Sequence, residues 1–391
     1  MQHQEVRPGV FWVGALDEES EFFDQLMPLP EGTSYNSYLV RGSERTALID
    51  SVEPRFKDQL WQHLDDLGVD RVDYIVSNHA EQDHAGAFPA LLERFPDAVI
   101  VTNEKCKHTL QRELHLPDGR FKVVGDKEEL SLGDRTLRFV FAPWVHWPET
   151  MFTYVVESGV LCTCDLFGAH LAFKEFWATP DVEPAAKRYY AEIMMPFAPV
   201  VRRHVAKVRG LQPEVIAPSH GPVYGDPSFI LDLHDAWTSG EKRRHVVVAY
   251  VSMHGSTRRM AEHLVWKLKE QGVDASLYDI MSSDVGDIAM DLLDAATFVL
   301  ASPAYLGGLH PAAANLVFLL NGFKPGVRFA GFVSSRGWEK EAGFDGFKQG
   351  LHKVKPEFLE PVFYEGHPDD EGLRLIDGLV ERVKEKHASL E

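Results

Sequence analysis

The sequence predicts an α/β chain in two parts, a strand-rich first part followed by a doubly wound parallel sheet. Three observations carry this. The 391 residues exceed what one ordinary hydrophobic core encloses. A short polar and charged connector, Thr238-Ser239-Gly240-Glu241-Lys242-Arg243-Arg244, separates two different patterns. Beyond it strands and helices alternate regularly; before it they are mixed. The expected domains are 1–240 and 245–391.

In the first part, Val10-Phe11-Trp12-Val13, Tyr38-Leu39-Val40 and Thr46-Ala47-Leu48-Ile49-Asp50 read as strands. Phe56, Leu60, Leu64 and Leu67 share one helical face, and Gly68 ends that helix. Strand 72–76, a helix over Phe88–Phe95, strand 99–101, a helix over 104–114 and strands 121–124 and 137–140 follow. A hairpin over 151–156 and 160–163 comes next. The spacing then predicts a long helix over 183–208, kinked or broken at Pro196 and Pro199. A short strand at 215–217 closes the first part. In the second part, strands at 245–251, 275–279, 297–301, 328–333 and 358–363 each precede a helix, at 257–271, 288–293, 312–320, 339–351 and 369–386. Five such pairs make a doubly wound parallel sheet.

Composition narrows the function. A formal net charge of −19 argues against nucleic acid or an anionic membrane as partner. The three cysteines, Cys106, Cys162 and Cys164, make no disulfide framework, and cytoplasm is the expected compartment. Met1 to Arg7 lacks the apolar core of a signal peptide, and no run approaches the length of a membrane span.

The chemistry concentrates in Ser77-Asn78-His79-Ala80-Glu81-Gln82-Asp83-His84, a loop between a buried strand and a helix. His79, Glu81, Asp83 and His84 put four potential metal ligands at the carboxyl end of a strand, where sheet-based folds place chemistry. Imidazole and carboxylate suit iron, manganese or zinc. The bland alternative is a polar loop with a capping Asp83. His146, Asp165 and His220 also fall at strand ends or turns, so distant segments can meet at one rim. Most of the 18 histidines warrant only a surface or core reading; the case rests on the set.

His79-x-Glu81-x-Asp83-His84 with His146, Asp165 and His220 resembles the ligand pattern of the flavodiiron proteins. Ser34 to Leu39, Trp144 to Glu149 and Ala217 to Pro222 resemble the same family, and the resemblance spans essentially the whole chain. It implies a metallo-β-lactamase-like αβ/βα sandwich followed by a flavodoxin-like sheet. It also implies that His79, Glu81 and His146 hold one iron, that Asp83 and His220, with His84, hold the other, and that Asp165 bridges. The chemistry agrees. Related zinc hydrolases carry His-x-His-x-Asp-His, and Glu81 in place of the second His gives harder, more anionic ligation. Three carboxylates against two ferrous ions leave +1, and two ferric ions with a bridging oxide leave +1 again. Such a site changes oxidation state without accumulating charge. His170 is a candidate to line the pocket, against the alternative of a solvent-facing or core histidine.

In the second part, Ser252-Met253-His254-Gly255-Ser256-Thr257 leaves the first strand and enters a helix. Small hydroxyl residues and a glycine there let N–H groups and hydroxyls surround a phosphate. With no nucleotide-triphosphate lysine following, one phosphate monoester fits, against the alternative of a plain helix cap. Its place after the first strand of a flavodoxin-like sheet points to FMN. Ser302-Pro303-Ala304-Tyr305-Leu306-Gly307 and Ser335-Arg336-Gly337-Trp338 lie on the same rim and resemble the family's isoalloxazine loops, with Tyr305 or Trp338 as ring covers.

The resemblance therefore implies a cytoplasmic reductase with FMN and two non-haem irons, taking O2 to water or NO to N2O. It implies a head-to-tail homodimer or homotetramer, in which Trp147 is a candidate for the electron path. No Cys-x-x-Cys pair for a fused rubredoxin is present, so the expected donor is a separate rubredoxin or a reduced-flavin or deazaflavin carrier. Two readings compete: a binuclear zinc hydrolase with an attached flavodoxin module, and a non-catalytic redox sensor.

Overall fold

The structure is a computed structural model that describes residues 1–337 and 343–390. Its residues form two compact units: Met1–Tyr190 with Phe197–Thr238, and Ala191–Pro196 with Ser239–Glu391.

The first unit has two sheets. One runs β1 (Gln4–Arg7), β2 (Val10–Trp12), β3 (Tyr38–Arg41), β4 (Thr46–Ile49), β5 (Tyr74–Val76), β6 (Val99–Thr102) and β7 (Phe121–Val123), in chain order. The first four are antiparallel; β4 to β7 are parallel. The other runs β8 (Glu129–Ser131), β9 (Thr136–Phe141), β10 (Met151–Val155), β11 (Val160–Cys164) and β12 (Val215–Pro218). Only its β11–β12 pair is parallel.

Alternation along the strands builds the layers. Tyr38 and Val40 share a core with Phe139, Met151 and Ala217 of the other sheet, so the two sheets face each other. Leu39, between them, packs on the opposite face with Leu60 and Leu64 of α1 (Lys57–Asp66), Phe88 and Leu91 of α2 (Phe88–Arg94) and Leu110 of α3 (Glu104–Glu113). A fully buried side chain of this size contributes ~1.5–3 kcal/mol. Helices α4 (Glu183–Tyr189), α5 (Ala198–Leu211) and α6 (Pro227–Thr238) complete the unit, and Phe152 of β10 meets His204 of α5. The expected sandwich is present.

The predicted helix over 183–208 is broken, as its prolines require. Between α4 and α5 lie a π turn, Tyr190–Met194, and a 3-10 turn, Met195–Phe197. Helix α6 and the short strand pairs Ala15–Asp17 with Thr33–Tyr35 and Phe22–Phe23 with Met27–Pro28 are additions to the sequence reading. At two or three residues each, these strands carry no usable periodicity.

The second unit is the doubly wound sheet expected, all parallel: β13 (Arg243–Tyr250), β14 (Asp274–Asp279), β15 (Ala295–Ala301), β16 (Phe329–Arg336), β17 (Glu357–Phe358) and β18 (Val362–Glu365). The spatial order is β14-β13-β15-β16, with β17 and β18 both on β16. The expected strand over 358–363 is two strands, because Pro361 cannot donate to a ladder. Helices α7 (Ser256–Glu270), α8 (Val285–Asp294), α9 (Pro311–Phe323), α10 (Phe344–Gly350) and α11 (Asp370–Ala388) surround it. Helices α7 and α11 pack on one face, through Met260 and Leu264 against Ile376 and Leu379. The start of the predicted helix over 339–351 lies outside the described residues. No described helix is long and apolar enough to cross a membrane.

Candidate metal centre

The ends of β5, β9, β11 and β12 bring the candidate ligands to one rim. The loop after β5 is held rigidly. The backbone N–H of Asn78 donates to Asp50 Oδ1 (2.8 Å) and its side-chain amide donates to Oδ2 (2.9 Å). Thr153 donates to Asn78 Oδ1 (2.7 Å), and Thr102 to the Ser77 carbonyl (2.8 Å). Asp83 and His84 lie in one helical turn, Gln82–Ala85. His146 is presented by a tight turn in which Trp144 adopts φ 68°, a left-handed value uncommon for a bulky residue. Trp144 N–H to Trp147 O (2.7 Å) and Thr150 Oγ1 to Val145 O (2.7 Å) hold that turn.

The seven residues form two triads around Asp165. On one side, Glu81 Oε2 lies 3.0 Å from His79 Nε2 and 3.2 Å from His146 Nε2. Asp165 Oδ2 is 3.7 and 3.5 Å from the same two nitrogens. On the other side, Asp83 lies 3.4 Å from His84 Nε2 and 3.3 Å from His220 Nε2. Asp165 Oδ1 is 3.1 and 3.4 Å from those. Asp165 thus turns one oxygen to each triad. His84, the last residue of the motif, has its Nε2 within the second group.

Outer partners set the tautomers. His79 Nδ1–H donates to Glu149 Oε1 (2.7 Å) and His220 Nδ1–H donates to the Ser34 carbonyl (2.7 Å). Both rings therefore aim a lone pair on Nε2 at the carboxylates. Tyr189 donates to Asp165 Oδ1 (3.1 Å), a contact with no sequence signal beyond the residue's place on a helix. Glu149→Gln keeps an acceptor for His79 but removes its charge. Metal affinity is expected to fall ~10–100-fold, read by competition with a chelator.

The donor set fits metal ions. Both carboxylate oxygens of Asp83, and Nε2 of His84, are buried without a hydrogen-bond partner. Orphaned polar atoms in a buried site are costly unless a cation satisfies them. Two groups of candidate ligand atoms, His79–Glu81–His146 and Asp83–His84–His220, each lie within 4.8 Å of one another.

Without metal, these groups hold protons instead. Burial works to lower each imidazole pKa, but the neighbouring carboxylates outweigh it. His79 and His220 are pushed up to about 10, and His84 and His146 to about 9. Asp165 is held well below the usual range, burial being overcome by the histidines around it. A raised histidine pKa stabilises fully below the unfolded value near 6.5 and is lost as pH rises through the folded value. The metal-free protein should therefore lose thermal stability between pH 7 and about 10. The metal-loaded protein, its imidazoles already deprotonated, should not; parallel thermal scans at each pH check this.

A cavity of 530 Å³ opens beside the centre, its lining including Phe23, Asp24, Tyr35, Glu81, Asp83 and Trp147. Trp147 meets His79 edge-on at 4.9 Å. His170 lies beside the second triad, its ring 5.5 Å from His220 and its Nδ1 3.0 Å from Thr33 Oγ1.

In the second unit, 252–255 follow β13 and lead into Ser256 and Thr257 of α7, and 302–307 follow β15 and include a short strand, Ala304–Tyr305. The expected loop residues Ser335 and Arg336 are instead the end of β16, with Gly337 beyond. The three stretches lie at one end of three adjacent strands. Gly255, at φ 86°, caps α7, with nothing within 4 Å of where a Cβ would stand. That leaves the helix N-terminus open to a phosphate. Tyr305 and Leu306 are exposed. Ser335 donates its hydroxyl to the Gly366 carbonyl (2.7 Å). Trp338, with Glu339 and Lys340, lies outside the described residues.

The comparisons agree with this geometry. A family model described as "ODP family beta lactamase" matches residues 33–221. A coenzyme F420H2 oxidase of Methanothermobacter marburgensis is 34% identical, over 82% of this chain and 82% of that protein. A nitric oxide reductase of Moorella thermoacetica is 33% identical, over 85% and 86%. Among solved structures, the rubredoxin oxygen:oxidoreductase of Desulfovibrio gigas superposes with a TM-score of 0.93 at 28% identity, over 99% of this chain and all of that one. The flavodiiron protein of Giardia intestinalis gives 0.91 at 29%, over 99% and 97%.

Proposed function

The chain belongs to the flavodiiron protein family, and we propose that it is an oxidoreductase taking O2 to water and/or NO to N2O. The observation that carries this reading is the pair of triads sharing Asp165. His79, Glu81 and His146 are assigned to one iron, Asp83, His84 and His220 to the other, and Asp165 to both. FMN is assigned to the rim formed by 252–257, 302–307 and 335–337. When bound, the flavin supplies electrons singly or in pairs and the iron pair supplies a binding and reducing centre for a diatomic.

The chain's own residues do the rest. Glu149 and Ser34 keep His79 and His220 in the tautomer that leaves Nε2 free. Tyr189 holds its hydroxyl proton on Asp165 Oδ1 and so fixes the orientation of the carboxylate. The Asp50–Asn78–Thr153 network holds the first ligand loop. Reduction of O2 consumes four electrons and four protons; two NO consume two of each. The donor is a rubredoxin or a reduced deazaflavin or flavin carrier, the assembly a head-to-tail homodimer or homotetramer, and the compartment the cytoplasm. The zinc hydrolase reading is not favoured, since the relatives are oxidoreductases.

Anaerobic purification tests this. Two irons and one FMN per chain are expected, with O2 or NO consumption driven by reduced rubredoxin or F420H2. Zinc without iron, or flavin turnover with neither gas consumed, would overturn it.

A further inference from the structure

The phosphate loop reads in the sequence as neutral, built from small hydroxyl residues and a glycine. In the structure, a histidine from 111 positions away reaches it, backed by an arginine. The loop after β18 carries His367, whose Nδ1 lies 3.2 Å from Ser256 Oγ, at the first turn of α7. His367 Nε2 lies 3.3 Å from Arg259 Nη1, one turn along the same helix.

The fold explains the meeting. Helices α7 and α11 pack side by side on one face of the sheet and both run back from the same rim. The loop before α11 is pinned there: Gly366 N–H donates to the Arg336 carbonyl (2.8 Å) and Ser335 Oγ donates to the Gly366 carbonyl (2.7 Å). Gly366, at φ 83°, makes the turn that presents His367. At its far end the loop is closed by Asp369, which caps α11 through Glu371 and Gly372 N–H and accepts from Tyr364 (2.6 Å).

The donor chemistry sets the direction of this chain of contacts. A guanidinium only donates, so His367 Nε2 accepts from Arg259, and the neutral ring then carries its proton on Nδ1. Nδ1–H donates to Ser256 Oγ, which leaves the Ser256 O–H to donate outward at the open helix N-terminus. The guanidinium charge is thus relayed toward the position where an anion would sit.

We propose that Arg259 and a neutral His367 form a clamp, its positive charge on Arg259, that acts through Ser256 on the phosphate monoester of FMN, making the site selective for FMN over riboflavin. This rests on the assignment of FMN to this rim and adds to it two residues outside the phosphate motif. Both act as positioning residues.

The test uses the full-length protein stripped of flavin and titrated with FMN and, separately, with riboflavin, following flavin fluorescence. Wild type should bind FMN far more tightly. His367→Ala and Arg259→Gln should each weaken FMN about tenfold while leaving riboflavin within twofold, and inorganic phosphate should compete with FMN less well in either variant. Unchanged FMN affinity in both variants would overturn the clamp. So would an equal loss for FMN and riboflavin, which marks damage to the loop. Failure of the wild type to bind either flavin would instead overturn the cofactor assignment itself.

Discussion

Asp165→Ala is expected to empty both metal positions and leave the flavin in place. Among the described residues no other offers a separate oxygen to each triad: Oδ1 faces His84 and His220 at 3.1 and 3.4 Å, and Oδ2 faces His79 and His146 at 3.7 and 3.5 Å. Its loss removes one ligand from each group and one of three negative charges from a buried site. On their Nε2 sides the four imidazoles then keep only Glu81 and Asp83 as carboxylate partners. Mutating an outer partner of a metal ligand typically costs ~10–100-fold in affinity, so loss of a ligand common to both positions should exceed that range. Iron should fall from two per chain to background, and gas consumption with it. Flavin absorbance should persist, because the flavin loops belong to the other compact unit. Tyr189→Phe is the graded control: it removes only the hydroxyl on Oδ1 and should stay within about 100-fold. Full iron in Asp165→Ala would sink the shared-ligand assignment. Loss of flavin together with iron would mean that the whole chain had misfolded.

The reach of sequence reasoning is clear from which residues it missed. All seven proposed ligands were legible, because imidazoles and carboxylates clustered at strand ends are chemically unusual. Their partners were not. Glu149 stood inside a stretch that resembles the family, yet nothing local says that its carboxylate meets His79, 70 positions earlier. Tyr189 looked like any helical aromatic. His367 was invisible because its role depends on two helices packing side by side, and periodicity shows which face of a helix is apolar without showing its neighbour. The regular alternation of the second part predicted its sheet directly. In the first part most strands of the two main sheets could be located, but their face-to-face pairing came from the resemblance. The side chains that build the inner core, Tyr38, Phe139 and Ala217, come from distant segments. One local error traces to proline: Pro361 splits an expected strand, whereas the break near Pro196 was expected.

The most destabilising substitution expected away from the ligands is Asn36→Leu. Asn36 is 1% exposed and ties three segments together. Its Oδ1 accepts from Trp12 Nε1 (2.8 Å), and its amide donates to the carbonyls of Pro218 and Gly221 (2.8 Å each). Leucine has the same branched skeleton with bulkier methyl groups, so no cavity opens; the main change is in hydrogen bonding. The Pro218 carbonyl keeps a donor in Tyr38 Oη (2.7 Å). The Trp12 N–H and the Gly221 carbonyl lose the partner Asn36 supplied, and each buried orphan costs about 1–3 kcal/mol. The sum of ~2–6 kcal/mol corresponds to a fall in melting temperature of roughly 5–20 °C for a unit of this size. A second effect follows from position. Pro218 and Gly221 flank the loop that carries His220, so the substitution removes two of the hydrogen bonds that hold it, while Ser34 still orients the ring through Nδ1. Thermal scans of metal-free protein measure the first effect, and iron content per chain measures the second. If Asn36→Leu melts like the wild type, the buried network is not what holds this loop. If it melts early but keeps both irons, the ligand geometry is set by the metals rather than by the scaffold beneath them.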